Sequence, residues 1–343
     1  MNPQQNVSLA EYSTMGLGGA AAYLLEVRDR MVVAEAYAWA RSRSLPILMI
    51  GGGSNIVWRD EGFPGLVLVN KIGGFETYEE DETSVYLTIG AGENWDQVVE
   101  RSVTAGLTGI EALSLIPGTA GATPVQNVGA YGQEISETLV SVEAFDTQAG
   151  QLINIPAADC AFGYRTSRFK VTDHGRFFIT SLTLHLTKGN PMPPFYAAVQ
   201  AYFDKQSVTD YTPAALREAV VAIRSAKLPD PALVHNTGSF FANPIIDEYN
   251  LRRMQEAYTS VPYWETEQPG KVKISAAWLI DQAGLKGIHD QATGMATWPT
   301  QPLVLINEHA HSTADLLAFK QKIIDTVQKK FGVTLQQEPE LLP

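Results

Sequence analysis

Between Ile116 and Gly132 the chain reads IPGTAGATPVQNVGAYG, seventeen residues with four glycines, two prolines and no charge. The whole chain is 18% charged, so about three charges are expected in a window of that length. The stretch is neutral, flexible in backbone and poor in large side chains, which makes it a long loop. Gly118, Ala120 and Gly121 give access to backbone N–H groups. Thr119, Thr123, Gln126 and Asn127 offer neutral hydrogen-bonding groups, and Gly129 and Gly132 flank Tyr131. Such a loop suits a large, flat, partly apolar cofactor with a pyrophosphate arm, and a flavin dinucleotide fits better than a free sugar. The alternative is a surface Ω-loop, which the lack of charge disfavours.

A second loop is of the same kind. LPILMI (45–50) reads as a short buried strand that ends abruptly at GGGSN (51–55). Gly51, Gly52 and Gly53 allow close backbone approach, consecutive N–H groups can form an anion nest, and Ser54 and Asn55 add neutral donors. A plain turn remains the alternative. The pattern is neither G-x-G-x-x-G opening a helix nor a loop ending in Gly-Lys-Ser/Thr, so a Rossmann or P-loop nucleotide site is not expected.

The chain has 343 residues, enough for two or three domains and a sizeable core. No apolar run is long enough for a transmembrane helix, and the N-terminus lacks the pattern of a signal peptide. Cys160 is the only cysteine, which excludes an internal disulfide and a multi-cysteine metal site; a reducing cytoplasm is the expected home. The net charge is −12 with no Lys/Arg-rich block, so nucleic acid is not an expected partner. His289, His309 and His311 come closest to a cluster, and the last two fall in what reads as a solvated loop before a helix; no metal is expected.

Helices are predicted over 29–43, over 94–106 with Asn94 as N-cap and Gly106 as stop, from 213 to the break at Pro229, over 274–284 and over 313–332. Strands are expected at FPGLVLVN, SVYLTIGAG, RFFITSLTLHLTKG and QPLVLIN, with DTQAG as the turn of a hairpin over 139–155. A strand-rich first part therefore precedes a smaller α+β part, with the boundary near 220.

Several short stretches carry chemistry. FGYRTSRFK (162–170) holds Arg165, Arg168 and Lys170, and arginine forks suit carboxylate or phosphate. An exposed basic strand is the bland alternative. In RSAKLPDP (224–231), Lys227 either pairs with a helix C-terminus or reaches a cleft. In NTGSFFANP (236–244), Ser239 lacks the second glycine of a nucleophile elbow, so an esterase is disfavoured. QQEPELL (336–342) puts Glu338 and Glu340 on one face if extended.

GGGSN, IPGTAGATPVQNVGAYG, FGYRTSRFK, RSAKLPDP, GSFFANP, AAWLIDQAGLKG and EPE occur in the order found in the UDP-N-acetylenolpyruvoylglucosamine reductase (MurB) family, which the chain resembles from about Leu9 to Glu340. The resemblance implies an α+β fold: an FAD-binding domain of the vanillyl-alcohol-oxidase type with subdomains over 1–70 and 71–219, a substrate-binding domain over 220–330, and a tail over 331–343 that returns to the active site. It implies reduction of UDP-N-acetylglucosamine enolpyruvate to UDP-N-acetylmuramate by NADPH through bound FAD, in peptidoglycan precursor synthesis. FAD contacts are expected from Gly51, Gly52, Gly53, Ser54 and Asn55, from Pro117, Gly118, Thr119, Gly121, Ala122 and Thr123, and from Gln126, Asn127, Gly129, Ala130, Tyr131 and Gly132.

By the same resemblance, Arg165 stabilises the enolate, Ser239 protonates the carbon and Glu340 completes the site. Tyr196 matches a tyrosine that covers the substrate in the longer form of the family; Lys227, Asn243 and Gln301 match substrate-contacting positions. The implied partners are small molecules only, and the protein is expected to be a cytoplasmic monomer. Two departures stand out. Only three residues follow Glu340, where relatives usually continue as a strand, and NPMPPFYAAV lacks the expected Tyr-Gly-Asp wording near Tyr196. A flavin oxidase would often link its flavin to His or Cys, and neither loop holds a histidine. A non-catalytic flavin or nucleotide-sugar binder would be expected to lose Arg165, Ser239 or Glu340, and all three are present.

Overall fold

The apolar run FPGLVLVN becomes the strand Phe63–Asn70, buried along most of its length. It lies between two parallel partners, Ala20–Val27 and Ile47–Ile50, and a strand covered on both faces tolerates such a continuous run. Gln4–Ser8 completes this four-stranded sheet. Helix α1 (Arg30–Arg41) turns Val33, Ala36 and Ala40 onto Leu66 and Leu68, and Asp29 caps it by accepting from the Met31 N–H at 2.9 Å. The computed structural model describes residues 1–343. They form two units: the first is 1–7, 21–52 and 63–226, the second 8–20, 53–62 and 227–343.

The first unit holds a second, six-stranded sheet built around Phe177–Lys188. The hairpin Leu139–Asp146 with Gln151–Pro156 pairs on one side of that strand and Ser84–Gly90 on the other, all antiparallel. Alternate residues of Phe177–Lys188 are buried along its second half, the period of a strand with one covered face. Helix α2 (Trp95–Thr104) supplies the cover through Trp95, Val98 and Val99. The Asn94 side chain accepts from the Gln97 N–H at 3.0 Å, and Gly106 follows at φ +72°. Helices α3 (Ala197–Gln206) and α4 (Pro213–Lys227) share a small core of Val199, Phe203, Leu216 and Val220.

The second unit is discontinuous in sequence. Helices α5 (Glu248–Ala257), α6 (Ala276–Gln282) and α7 (Thr313–Phe331) accompany a four-stranded and a three-stranded sheet. Ser312 and Asp315 close a capping box on α7, and Gly332 ends it at φ +70°. Asp60, far back in the chain, also accepts from the first-turn N–H groups of Thr313 and Ala314 at 2.7 and 3.0 Å. The α+β class is as expected. Helices α3 and α5 carry no cap or period that the sequence reading used, and the inclusion of 8–20 and 53–62 in the second unit has no local signal at all. No helix is long and apolar enough to cross a membrane.

Candidate active site

In the first unit the two glycine-rich loops meet. A Cβ on Gly51 would stand 2.3 Å from Thr119 Oγ1, and one on Gly52 would stand 3.0 Å from Gly118 Cα. Glycine is required at Gly51 because the Thr119 side chain closes on it, and favoured at Gly52 because backbone faces backbone there. The long loop is stitched down by main-chain bonds: the N–H groups of Trp95, Ala120 and Gly121 donate to the carbonyls of Gly118, Glu93 and Ala91 at 3.1, 2.9 and 2.9 Å. The Thr123 hydroxyl donates to Ala120 O at 2.7 Å. Thr119 Oγ1 is buried with no partner, the kind of atom that a water or a ligand oxygen would satisfy.

The loop ends in a two-residue hairpin, with Ala130 paired to Gln133. Its turn residues, Tyr131 and Gly132, take φ +49° and +87°. Two positive φ values suit a right-twisted hairpin, but tyrosine is an uncommon occupant, at a cost of about 1–2 kcal/mol. The ring of Tyr131 meets that of Tyr196 edge to face, with centroids 5.6 Å apart. Tyr196 is 48% exposed and precedes α3. A residue expected at the cofactor and one expected at the substrate are thus in contact.

Arg165 also belongs to this unit and to this neighbourhood. Its Nη1 is 3.3 Å from where a Cβ on Gly129 would be, so Gly129 leaves the guanidinium its room. Arg165 has φ +54°, and its carbonyl accepts from Lys170 Nζ at 3.2 Å. Asn127 ties the two segments together: Nδ2 donates to Glu134 Oε2 at 2.6 Å and to Gly163 O at 3.2 Å, and Oδ1 accepts from the Ser136 N–H at 3.2 Å. Arg168 has a different task. Its Nε bonds Asp173 at 2.8 Å and its Nη1 bonds Asp159 O at 3.0 Å, which binds it to its own loop. Cys160 is fully buried, and burial pushes its thiol up to about 11, so it is an inert core residue.

In the second unit, Ser239 ends the strand Asn236–Ser239 opposite Val304. The tail runs beside the residues that follow it: the Glu338 N–H donates to Phe240 O at 2.9 Å and the Ala242 N–H to Gln336 O at 3.0 Å. The tail then forms the strand Glu340–Leu342, parallel to Ile56–Trp58. The Glu340 N–H donates to Asn55 O at 3.0 Å, and the Arg59 N–H to Leu342 O at 3.0 Å. The few residues after Glu340 therefore suffice to anchor it as a strand. The end of GGGSN comes to the same place, where the Thr14 N–H donates to Gly53 O at 3.1 Å.

The other expected contacts spread over the second unit. Asn243 Oδ1 accepts from the Ala276 N–H at 2.9 Å, at the start of α6. Gln301 is buried, and Lys227 is exposed with its carbonyl accepting from Thr300 Oγ1 at 2.7 Å. No group of three or more His, Cys, Asp or Glu residues is placed to hold a metal.

One first-unit group was not singled out in the sequence. Asp96, in the first turn of α2, receives Arg217 through a two-pronged pair at 2.6 and 3.1 Å and the Leu115 N–H at 2.5 Å. Burial alone would raise its carboxyl, but Arg217 and Leu115 outweigh it and hold the group below its usual range. Arg224, two turns further along α4 from Arg217, faces Tyr131. The seven-residue spacing of the two arginines was visible in the sequence; their partners, about a hundred residues away, were not.

Comparison with known proteins fits this geometry. Residues 21–155 match the family model for an FAD binding domain, and residues 230–342 match that for the C-terminal domain of UDP-N-acetylenolpyruvoylglucosamine reductase. The enzyme of that name from Alcanivorax borkumensis is 39% identical over 98% of this chain and 96% of its own. The chain belongs to the UDP-N-acetylenolpyruvoylglucosamine reductase family. A family member from Pseudomonas aeruginosa is 38% identical over 98% of each chain. The crystal structure of the Thermus caldophilus reductase shares the fold, with a TM-score of 0.68 over the whole of both chains at 24% identity. The residues present fit the family's FAD: glycines let the two loops approach closely, and a buried threonine oxygen there has no protein partner.

Proposed function

We propose that Arg165, Ser239 and Glu340 act on the carbon framework of the substrate while the two glycine-rich loops hold the FAD. The protein is a flavoenzyme that reduces the enolpyruvyl ether of UDP-N-acetylglucosamine to UDP-N-acetylmuramate with NADPH, in peptidoglycan precursor synthesis. Held by the two glycine-rich loops, bound FAD would supply the transfer of a hydride from NADPH to the terminal vinyl carbon. That addition leaves negative charge on the neighbouring carbon and its carboxylate. Arg165 stabilises the charge as it develops, and Glu340 completes the site with it. The Ser239 hydroxyl then gives its proton to the carbon; a serine is a weak acid, but a carbanion-like carbon is a strong base.

The observation that most supports this reading is the double pairing of the tail. It sets Glu338 beside Phe240, the neighbour of Ser239, and Glu340 beside Asn55 at the end of a glycine-rich loop. Tyr196 is assigned to cover the substrate, and Lys227, Asn243 and Gln301 to contact it. We assign residues 1–70 and 71–219 to the cofactor, 220–330 to the substrate and 331–343 to the returning tail. We further propose a cytoplasmic monomer, in keeping with the single buried cysteine.

An anaerobic visible spectrum tests the reaction. Flavin bands should bleach on addition of NADPH and return on addition of the enolpyruvyl UDP-sugar. Bands that return only with oxygen would point to an oxidase of the same fold, and a protein that stays colourless after incubation with FAD would sink the assignment of both loops.

A further inference from the structure

Arg224 differs from Arg168, Arg176 and Arg217 in its unit. Arg176 holds Asp146 through two prongs at 3.0 and 2.7 Å, Arg168 holds Asp173 at 2.8 Å, and Arg217 holds Asp96. Arg224 shares the face of α4 with Arg217 but arrives at an Asp96 whose oxygens already take Arg217 and Leu115. Its Nε is sealed from solvent and has no acceptor, although the side chain as a whole keeps some exposed surface. Its near neighbours are the phenol of Tyr131, which its side chain hydrogen-bonds, the Asp96 carboxylate and a second cation, Arg165. A buried donor without an acceptor carries a desolvation penalty, and a like charge nearby adds to it. Burial pulls the Arg224 guanidinium below its ordinary value, and burial likewise raises the Tyr131 phenol.

The strain at Tyr131 points the same way. A tyrosine kept at φ +49° in the hairpin turn presents one ring that meets both Arg224 and Tyr196, and backbone strain of this kind persists where the surroundings enforce it. The chain therefore holds two guanidinium groups and two phenols together, in a protein whose net charge is −12, and leaves one guanidinium nitrogen without an acceptor.

We propose that Arg224 is a binding residue for an oxyanion of a reactant, a phosphate or carboxylate oxygen, which it grips together with Arg165 beneath the Tyr131–Tyr196 pair. The acceptor missing at Nε is then supplied by the ligand, and the repulsion between the two cations is relieved on binding. Two reactants carry such oxyanions, the UDP-sugar and NADPH. The inference rests on the activity, but not on the catalytic assignments of Ser239 and Glu340.

The test is calorimetric titration of the oxidised holoenzyme with the enolpyruvyl UDP-sugar and, separately, with NADP+, for wild type, Arg224→Gln and Arg224→Lys. Loss of one charge-assisted contact should raise the Kd for one of the two ligands about 10- to 100-fold in Arg224→Gln, with the flavin-to-protein ratio unchanged. The ligand affected identifies the source of the oxyanion. Arg224→Lys keeps the charge but loses the fork, so a smaller rise in the same Kd is expected. If Arg224→Gln does not fold, the Lys variant decides. Unchanged Kd values for both ligands overturn the proposal. So does loss of flavin with unchanged Kd in FAD-saturated protein, since the oxyanion would then be the cofactor's own. A wild-type protein that binds neither ligand would instead overturn the activity.

Discussion

Residues 116–132 in the first unit and 336–342 in the second are both irregular-looking stretches, held in opposite ways. The first is pinned by main-chain bonds to Ala91 and Glu93 and by glycines that let backbone press on backbone. The second is held as a strand, between residues 240–242 on one stretch and Ile56–Trp58 on the next. One is built from the absence of side chains and commits main-chain N–H groups to its own scaffold. The other uses ordinary pairing to carry chosen side chains, above all Glu340, to a fixed place. Small substitutions should therefore damage the cradle through volume, and the tail region through chemistry.

The largest effect is expected from chemistry. Ser239→Ala should lower kcat by about 10²–10³-fold, the usual loss for a preorganised donor, while NADPH still bleaches the flavin at the wild-type rate. A decrease of less than threefold would place the proton donor elsewhere. The contrast on the volume side is Gly53→Ala against Gly132→Ala. Both positions have positive φ, but a Cβ on Gly53 would lie 2.2 Å from Tyr12 O, whereas one on Gly132 meets nothing within 4 Å. Thermal or urea unfolding should show a loss of about 2–4 kcal/mol for Gly53→Ala, strain and overpacking together, and about 1 kcal/mol for Gly132→Ala. Equal losses would mean that backbone conformation, and not close approach, sets the need for glycine.

Leu342→Ala tests the tail by weakening its anchor without touching Glu340. Leu342 is buried in the strand paired in parallel with Ile56–Trp58, so a loss of about 2 kcal/mol is expected, with turnover falling while the flavin content stays constant. A fall in flavin content instead would blur the distinction between the two regions. The smallest effect concerns Asp146, where a side-chain ion pair holds the hairpin of the first unit. The Arg176 guanidinium holds the Asp146 carboxyl down at about 2. A depressed carboxyl gives its stability above its usual value of 3.8 and loses it as pH falls from about 4 through about 2. With Arg176 partly exposed, that contribution is about 1–2 kcal/mol. Melting of wild type and Asp146→Asn should differ at pH 6 and converge near pH 2; a constant gap would assign the loss to hydrogen bonding alone.

The same contrast explains what was legible in the sequence. Helix α2 could be read with its Asn94 cap, and α7 as an amphipathic run stopped by Gly332, because their signals lie within the element. The loops could be read because a required glycine is a local mark. Arg165, Ser239 and Glu340 stood out only through resemblance, since no spacing links residues that distant in sequence. Arg224 stayed hidden because its meaning depends on Asp96 already being engaged by Arg217. Arg168 and Lys170 looked as reactive as Arg165, and only contacts separate them: Arg168 ends on Asp173 and Lys170 on the Arg165 carbonyl. The split of residues 8–20 and 53–62 into the second unit could not be read from composition, because it is made by bonds such as those of Asp60 to Thr313 and Ala314.

That arrangement sets an order for birth on the ribosome. Ile56–Trp58 waits for Glu340–Leu342, nearly three hundred residues downstream, and Asp60 waits for the start of α7. The first unit can gather its sheets while synthesis continues. The early segments of the second cannot close until almost the whole chain has emerged, so a ribosome stalled before α7 would display them without their partners, as natural clients for a chaperone.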